Sequence, residues 1–461
     1  MDFKNYLVPG KTGLLIGIGG VSMSPLAEVL HDAGLDIRGS DMAESSNTLT
    51  LREHGIPIHI GHSADNVTDD ISFVIRTAAV HDDNPEVHEA HRRGIPVFER
   101  TQAWGALMRG YQNALCISGT HGKTTTTSMC THIMMAAEKD PTVMIGGTLP
   151  LLKACHRVGK GNTIIMESCE YYNSFLALNP TIAVVLNIEA DHLDFFKDLE
   201  DIKHSFRCFA ERVPAETGTV IANYDDANTM DALRGIARKV ITFGLNAKAD
   251  VYAQNIVHRG SVSEFDIYHR GNYFARVTLH VPGIHNVRNA LAATAAAIVL
   301  GVSPNAVKYG LAGFEGAGRR FDYKGKFQGA DLYDDYAHHP SELRALLDAV
   351  DTLNYQRSIV VFQPHTYSRT AKLFNDFVEQ LRRPTIVYLA EIYAAREKNT
   401  IGISSADLAA QIPGAKFYPT FAGIERELRR IARPGDIILT VGAGDVFRIG
   451  EQLLQPSDAE S

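Results

Sequence analysis

Short, nearly unbroken apolar runs recur along this chain of 461 residues, and each ends in glycine or polar residues before a segment of helical period. In the first third, residues 13–18, 37–41, 71–79 and 95–98 read as strands, with helices over 23–33 and from Asn84 onward. In the middle, residues 114–117, 163–167 and 181–187 are apolar almost throughout, the pattern of strands covered on both faces. Residues 219–282 read mainly as strands with one helix near 228–237, and a longer helix opens after Pro282. In the last third, residues 358–362, 385–390 and 436–441 read as strands with helices between them. This alternation predicts an α/β protein built on open, mostly parallel sheets, with ligands at the carboxyl ends of the strands. The length fits two to four domains. The stretch Gly316-Ala-Gly-Arg-Arg-Phe-Asp322 reads as a linker. The domains are therefore placed at 1–110, 111–320 and 321–461.

The sharpest chemistry lies in the middle third, where Leu115-Cys-Ile-Ser-Gly-Thr-His-Gly-Lys-Thr124 joins an apolar strand to a helix. Gly119 and Gly122 bend the backbone, so that N–H groups from Thr120 to Thr125 and the positive end of the helix dipole face an anion. Lys123 would reach the outer phosphates of a nucleotide, and the Thr124 hydroxyl would ligate Mg²⁺. Ile117 stands where the standard phosphate loop opens with glycine. The strands over 163–167 and 181–187 end in Glu167-Ser-Cys-Glu170 and Asn187-Ile-Glu-Ala-Asp-His192. Hard oxygen ligands suit Mg²⁺, which makes Glu167 the first candidate ligand beside Thr124. His192 is either a further ligand or a hydrogen-bonding loop histidine. Asn286 and Asn289 share one helix face. They either read the edge of an adenine or, in the case of Asn286, cap the helix.

In the first third, Gly17-Ile-Gly-Gly-Val-Ser22 follows the first strand, and Asp41 comes about twenty residues later. A turn containing Gly17, Gly19 and Gly20 suits a dinucleotide, another diphosphate-bearing ligand or a purely structural role. Ser22, in place of a third glycine, weakens the first of these. Thr77 and His81 lie at another strand end, where His81 is either a ligand contact or a loop-facing polar residue. In the last third, Asp334-Asp-Tyr-Ala-His-His339 and Gln363-Pro-His-Thr-Tyr-Ser-Arg369 are polar strand ends of the same kind. In isolation His338-His339 reads as a surface pair.

Composition removes several classes. The net charge of −8, with no basic block, argues against nucleic acid as a partner. No apolar run reaches the roughly 18 residues of a membrane span, and Met-Asp-Phe-Lys does not read as a secretory signal. The five cysteines lack CxxC spacing and read as reduced thiols of a cytoplasmic protein, without a structural zinc site.

Six motifs occur in order along the chain: Gly17-Ile-Gly-Gly20, Gly119-Thr-His-Gly-Lys-Thr124, His285-Asn-Val-Arg-Asn289, Gly318-Arg-Arg-Phe321, Asp335-Tyr-Ala-His-His-Pro340 and Phe362-Gln-Pro-His-Thr-Tyr-Ser-Arg369. The ordered set resembles the Mur ligases over essentially the whole chain. The resemblance implies a Rossmann-like N-terminal domain for a UDP-sugar, a central P-loop ATPase domain, and a C-terminal Rossmann-like domain that closes over the site and keeps water out. It implies an ATP-dependent ligase of peptidoglycan precursor synthesis. Such an enzyme joins L-alanine to the carboxylate of UDP-N-acetylmuramate through an acyl phosphate, with ATP and Mg²⁺, as a monomer or homodimer.

By position, the resemblance gives the diphosphate to Gly17, Gly19 and Gly20, and the uracil end to Asp41. ATP and Mg²⁺ go to Lys123, Thr124, Glu167 and His192, and adenine to Asn286 and Asn289. Asp335 takes the ribose, and Arg319 or Arg320 a phosphate. His338, His365 and Arg369 fall near the amino acid and the muramyl carboxylate. A general base for the amine is expected at His338 or His192. Two departures stand out. Ser168-Cys-Glu-Tyr-Tyr172 replaces an Asp-rich turn, and Thr366 stands where many members carry arginine, leaving Arg369 as the main partner of the amino-acid carboxylate. The competing readings are a recycling ligase that adds a preformed peptide to the same sugar nucleotide, a nucleotide-gated binding protein without a covalent product, and an NAD(P)-linked oxidoreductase.

Overall fold

The computed structural model describes residues 2–77, 79–395 and 397–455. Three sheets follow one another along the chain. The first holds five parallel strands, β1 (Thr12–Ile16), β2 (Asp36–Asp41), β3 (Ile58–Ile60), β4 (Ile71–Arg76) and β5 (Val97–Glu99), in the order β3-β2-β1-β4-β5. The winding reverses beside β1, which leaves a crevice beyond its carboxyl end.

The second sheet holds ten strands. They are β6 (Asn113–Ser118), β7 (Thr142–Leu149), β8 (Ala154–Arg157), β9 (Thr163–Glu167), β10 (Ile182–Val185), β11 (Thr219–Asn223), β12 (Lys239–Gly244), β13 (Val251–Arg259), β14 (Val262–His269) and β15 (Asn272–Leu279). Their order is β15-β14-β13-β12-β11-β10-β6-β9-β7-β8. β6 lies between β10 and β9, parallel to both, and Ala114, Leu115, Cys116 and Ile117 are fully buried there. That burial is why its sequence is apolar on both faces.

The third sheet holds β16 (Asp322–Phe327), β17 (Ala330–Asp335), β18 (Arg357–Phe362), β19 (Ile386–Leu389), β20 (Lys416–Phe417) and β21 (Asp436–Val441). The order is β16-β17-β21-β18-β19-β20, and only β16 runs antiparallel to its neighbour. The α/β architecture of three mostly parallel sheets is the one expected. By compactness the chain divides into two units. One is Met1–Ala253 with Ile267–Ala275 and Asn289–Leu311; the other is Gln254–Asp266 with Arg276–Arg288 and Ala312–Ser461. Among the described residues no helix is long and apolar enough to cross a membrane.

Several local expectations change. β4 stops at Arg76 rather than 79, where the guanidinium is tied to Asp82 at 2.5 Å and Glu99 at 2.9 Å; Ala78 lies outside the described residues. The helix expected near 228–237 is Ala227–Ala232, begun by the Asp226 side chain capping the Thr229 N–H. β3 was not expected, because it is only three residues long with largely exposed side chains. The β7–β8 hairpin was also not expected. The stretch over 316–322 is not a slack linker. The Arg319 guanidinium donates to Asp334 at 2.9 Å and to the carbonyls of Gly442 and Gly444 at 2.6 and 3.1 Å, and the Phe321 N–H donates to Asp335 at 2.7 Å.

Candidate functional site

β1 ends at Ile16, and Gly17 turns the chain with φ +77 before the helix Ser24–Asp32 begins. A cleft of about 720 Å³ opens beyond this turn. Its wall brings together all six residues expected at the UDP-sugar: Gly17, Gly19, Gly20, Asp41, Thr77 and His81. The Gly19 N–H donates to Asp41 Oδ2 at 2.8 Å. A Cβ at Gly19 would stand 2.8 Å from Thr48 Cγ2 and 3.0 Å from that carboxylate, so the position admits no side chain. The wall also carries Glu44 and Asp83 and, among the described residues, neither lysine nor arginine. His62 lines it too, unread from sequence because β3 itself was unread. Its Nδ1 lies 2.7 Å from Glu86, a fully buried carboxylate that also accepts from Ser40 at 2.8 Å and Asn66 at 2.6 Å.

The phosphate loop follows β6. Gly119 and Gly122 take φ +148 and +84, and the helix Lys123–Ala136 starts at once. A Cβ at Gly122 would fall 2.7 Å from Asn289 Oδ1, which puts that asparagine against the loop. Asn187, after β10, braces the turn from the other side. Its carbonyl accepts the Thr120 N–H at 3.0 Å, its Oδ1 accepts the His121 N–H at 2.8 Å, and its amide donates to the His121 carbonyl at 3.1 Å. Sequence reading gave Asn187 no role.

The Lys123 amino group donates to the Gly119 and Thr120 carbonyls at 2.5 and 3.0 Å and to Glu170 at 3.0 Å. Burial works against its charge, but the carboxylates of Glu170 and Glu167 outweigh burial and raise its pKa. The Thr124 hydroxyl donates to Glu167 Oε1 at 3.1 Å, and Glu167 Oε2 accepts the Gly146 N–H at 2.6 Å. The expected metal trio is thus only partly joined. Thr124 meets Glu167, whereas His192 Nε2 lies 3.8 Å from both Glu170 and Asp191 and its ring stacks on Tyr171 at 4.4 Å. Glu170, absent from the expected site, is 2% exposed and joins Lys123 to His192. Its signal was a carboxylate three residues past a strand end; the burial that makes it matter cannot be read from sequence. The hydroxyl of Thr124 and the carboxylate of Glu167, 3.1 Å apart, are hard oxygens of the kind that fit Mg²⁺. Thr125 sits half-buried in the first turn of the helix.

In the second unit, polar groups gather at the carboxyl ends of β17, β18 and β19. Asp335 accepts N–H groups from Phe321 at 2.7 Å and Ala337 at 2.8 Å. Burial pushes its carboxyl up to about 6, against the pull of Arg320 and those two N–H groups. Arg319 is committed to Asp334, while Arg320 lies over the Tyr336 ring at 4.9 Å. His338, His365 and Arg369 come together. The two rings are 5.8 Å apart, and Arg369 Nη1 is 3.2 Å from His365 Nδ1. Between them Thr366 holds φ +66, costly for a β-branched residue, with its N–H on the Tyr393 carbonyl at 2.9 Å. His338 Nδ1 lies 3.0 Å from the Tyr336 carbonyl. The Asn286 amide donates to the Pro282 carbonyl at 2.7 Å, so it braces the start of its helix.

Three family models match in sequence: the Mur ligase family catalytic domain over residues 15–112, the Mur ligase middle domain over 117–297, and the Mur ligase glutamate ligase domain over 319–444. The UDP-N-acetylmuramate–L-alanine ligase of Agathobacter rectalis is 46% identical over 445 residues, 95% of this chain and 97% of that one. The crystal structure of UDP-N-acetylmuramate-alanine ligase from Thermotoga maritima is similar with a TM-score of 0.79 at 28% identity, covering 96% of this chain and 98% of that one. A murein peptide ligase from Psychrobacter arcticus shares the fold, with a TM-score of 0.69 at 22% identity and the same coverage of 96% and 98%.

Proposed function

The chain belongs to the Mur ligase family, and from that premise we propose that it uses ATP to join L-alanine to the carboxylate of UDP-N-acetylmuramate, a step of peptidoglycan precursor synthesis. The observation that carries the reading is the phosphate loop, where a half-buried, charged Lys123 pairs with Glu170 and the Thr124 hydroxyl meets Glu167.

A carboxylate does not condense with an amine in water, because oxide would have to leave. Transfer of the γ-phosphoryl group of ATP to the carboxylate gives an acyl phosphate, from which inorganic phosphate leaves once the amine attacks. Lys123 offsets the charge that grows on the transferring oxygens. Thr124 and Glu167, with Glu170 and His192 beside them, would hold Mg²⁺, which when bound neutralises phosphate oxygens. The loop from Gly119 to Thr125 cradles the nucleotide phosphates. Asn286 and Asn289 read the adenine, with Asn289 set against the loop at Gly122. Asp335 and Arg320 take the ribose and a phosphate. The glycine cleft takes the UDP portion, with Thr77 and His81 in its wall. His338, His365 and Arg369 bind the amino acid, and either His192 or His338 accepts the amine proton. The domains run over 1–110, 111–320 and 321–461, the protein acts in the cytoplasm, and it is a monomer or homodimer.

The test is to incubate the protein with ATP, UDP-N-acetylmuramate and L-alanine and weigh the sugar nucleotide. A gain of one alanine residue with one ADP released per product supports the reading. Gain only when a tripeptide replaces alanine moves the assignment to a recycling ligase. No gain with either acceptor moves it to a binding protein.

A further inference from the structure

Away from the phosphate loop, three reactive groups line up between β8 and the helix that follows the glycine turn. Cys155 Sγ lies 3.8 Å from His156 Nδ1, and the other ring nitrogen of His156 lies 3.3 Å from both carboxylate oxygens of Glu28. The His156 and Glu28 side chains are 16% and 15% exposed, while Cys155 is half-buried and open to small reagents. This is the arrangement of an activated thiol: a nucleophile beside an imidazole that a carboxylate orients. Cys155 Sγ also lies 3.9 Å from the carbonyl of Val21, inside the turn Gly17-Ile-Gly-Gly-Val-Ser22.

The other four cysteines lack this setting. Burial pushes the Cys116 and Cys130 thiols up to about 12. Cys169 is exposed, and the neighbouring Glu170 charge works against its thiolate. Burial and Glu211 raise Cys208, even though His204 lies 3.5 Å from it. A thiol held in its protonated form is a poor nucleophile.

We propose that Cys155, activated by His156 and Glu28, is a covalent modification site for small disulfides, and that an adduct there hinders the sugar nucleotide at the adjoining glycine turn. The second half rests on the proposed role of that turn. In the exchange, the thiol proton passes to water, and the His156 imidazolium stands beside the thiolate. The thiolate attacks one sulfur of a disulfide RSSR, the Cys155–SR bond forms as the old S–S bond breaks, and the departing RS⁻ takes a proton from water to leave as RSH. The exchange needs no outside oxidant or reductant beyond the disulfide itself. Glu28 holds the imidazole with Nδ1 toward sulfur.

The full-length protein is treated with oxidised glutathione at neutral pH, quenched with an alkylating reagent at timed points, and mapped by peptide mass spectrometry. Cys155 is expected to gain glutathione at least about tenfold faster than Cys169 or Cys208. His156→Gln and Glu28→Gln should each slow Cys155 by about tenfold, with circular dichroism checking that each variant is folded. Equal rates at the three cysteines, or an unchanged rate in both variants, overturn the proposal. The adduct should raise KM for UDP-N-acetylmuramate with kcat little changed, dithiothreitol should restore it, and Cys155→Ser should keep the untreated KM and resist the treatment. Selective labelling with an unmoved KM would keep the modification site and overturn its coupling to the turn. The labelling rates are readable whatever the substrate proves to be, so failure of the ligase reading is seen separately.

Discussion

β1 and β6 both run into a glycine turn and then a helix, and the two turns differ in charge more than in shape. After β1, the Gly19 N–H is bound by Asp41, and the cleft wall carries three carboxylates and, among the described residues, no lysine or arginine. After β6, Lys123 is clamped between the Gly119 and Thr120 carbonyls and the buried Glu170. An anion that is only held needs N–H groups and a helix dipole. A phosphoryl group in transfer gathers charge on its oxygens at the transition state, and a cation fixed at that point acts where it lowers the barrier. The carboxylates around the first turn suit the donors of a nucleoside, its hydroxyls and imide N–H. On the proposed function, the second turn is therefore the one for chemistry and the first the one for recognition.

The largest effect that would break this contrast comes from Lys123→Ala. ADP release dependent on both UDP-N-acetylmuramate and L-alanine should fall by about a thousandfold or more, while binding of the sugar nucleotide by calorimetry should stay within about twofold. Turnover that survives, or sugar-nucleotide binding lost along with turnover, would mean that the two turns are not separable in this way. Gly122→Ala comes next. The new Cβ meets φ +84 and the Asn289 oxygen at 2.7 Å, so kcat/KM for ATP should fall by about ten- to a hundredfold, with about 1–3 kcal/mol of strain. Gly19→Ala, by contrast, should raise KM for the sugar nucleotide and leave KM for ATP alone.

The contrast between the turns was only half legible in the chain. The two strands Thr163–Glu167 and Asp436–Val441 could be read to the residue, because both are unbroken apolar runs with polar ends. Lys123 and Thr124 could be placed because the turn that carries them is local. Glu170 could not, since its contact with Lys123 spans 47 positions and its weight comes from burial. Asn187 was missed for a similar reason: a loop end that braces another loop leaves no periodic trace. Residues 316–322 look like a linker by composition, yet the Arg319 guanidinium docks them against Asp334, a pairing that only the folded sheet brings about. Asn286 and Asn289 share a helix face, but their surroundings differ, and sequence spacing does not report surroundings.

A smaller effect tests the recognition half. Asp41→Asn leaves a neutral acceptor for the Gly19 N–H, so the turn keeps its shape while the cleft loses one of its three carboxylates. KM for UDP-N-acetylmuramate should rise by about tenfold, the scale of one charge-assisted hydrogen bond, with kcat nearly unchanged. A fall in kcat at constant KM would place Asp41 with the chemistry instead and remove the division of labour between the turns.

The smallest effect concerns how the recognition turn is moored. Glu28, on the helix leaving that turn, pairs with His156 of β8 at 3.3 Å. Burial works against the imidazolium, but Cys155 and the Glu28 carboxylate outweigh it and carry its pKa from 6.5 up to about 9. A histidine whose folded pKa is raised contributes stability that is complete below its unfolded value and is lost as pH rises through the folded one. The stability gap between the protein and His156→Gln should therefore be widest at about pH 6 and narrow as pH climbs through about 9. Because the pair is partly solvated, screening should hold the gap below about 1 kcal/mol, a shift of a few degrees at most in thermal midpoint. Lys123 gives no such signal in this range, because its pKa is raised from a value already at 10.5. A gap that widened with pH would show that His156 sits in its contact uncharged, and the mooring would then be packing rather than an ion pair.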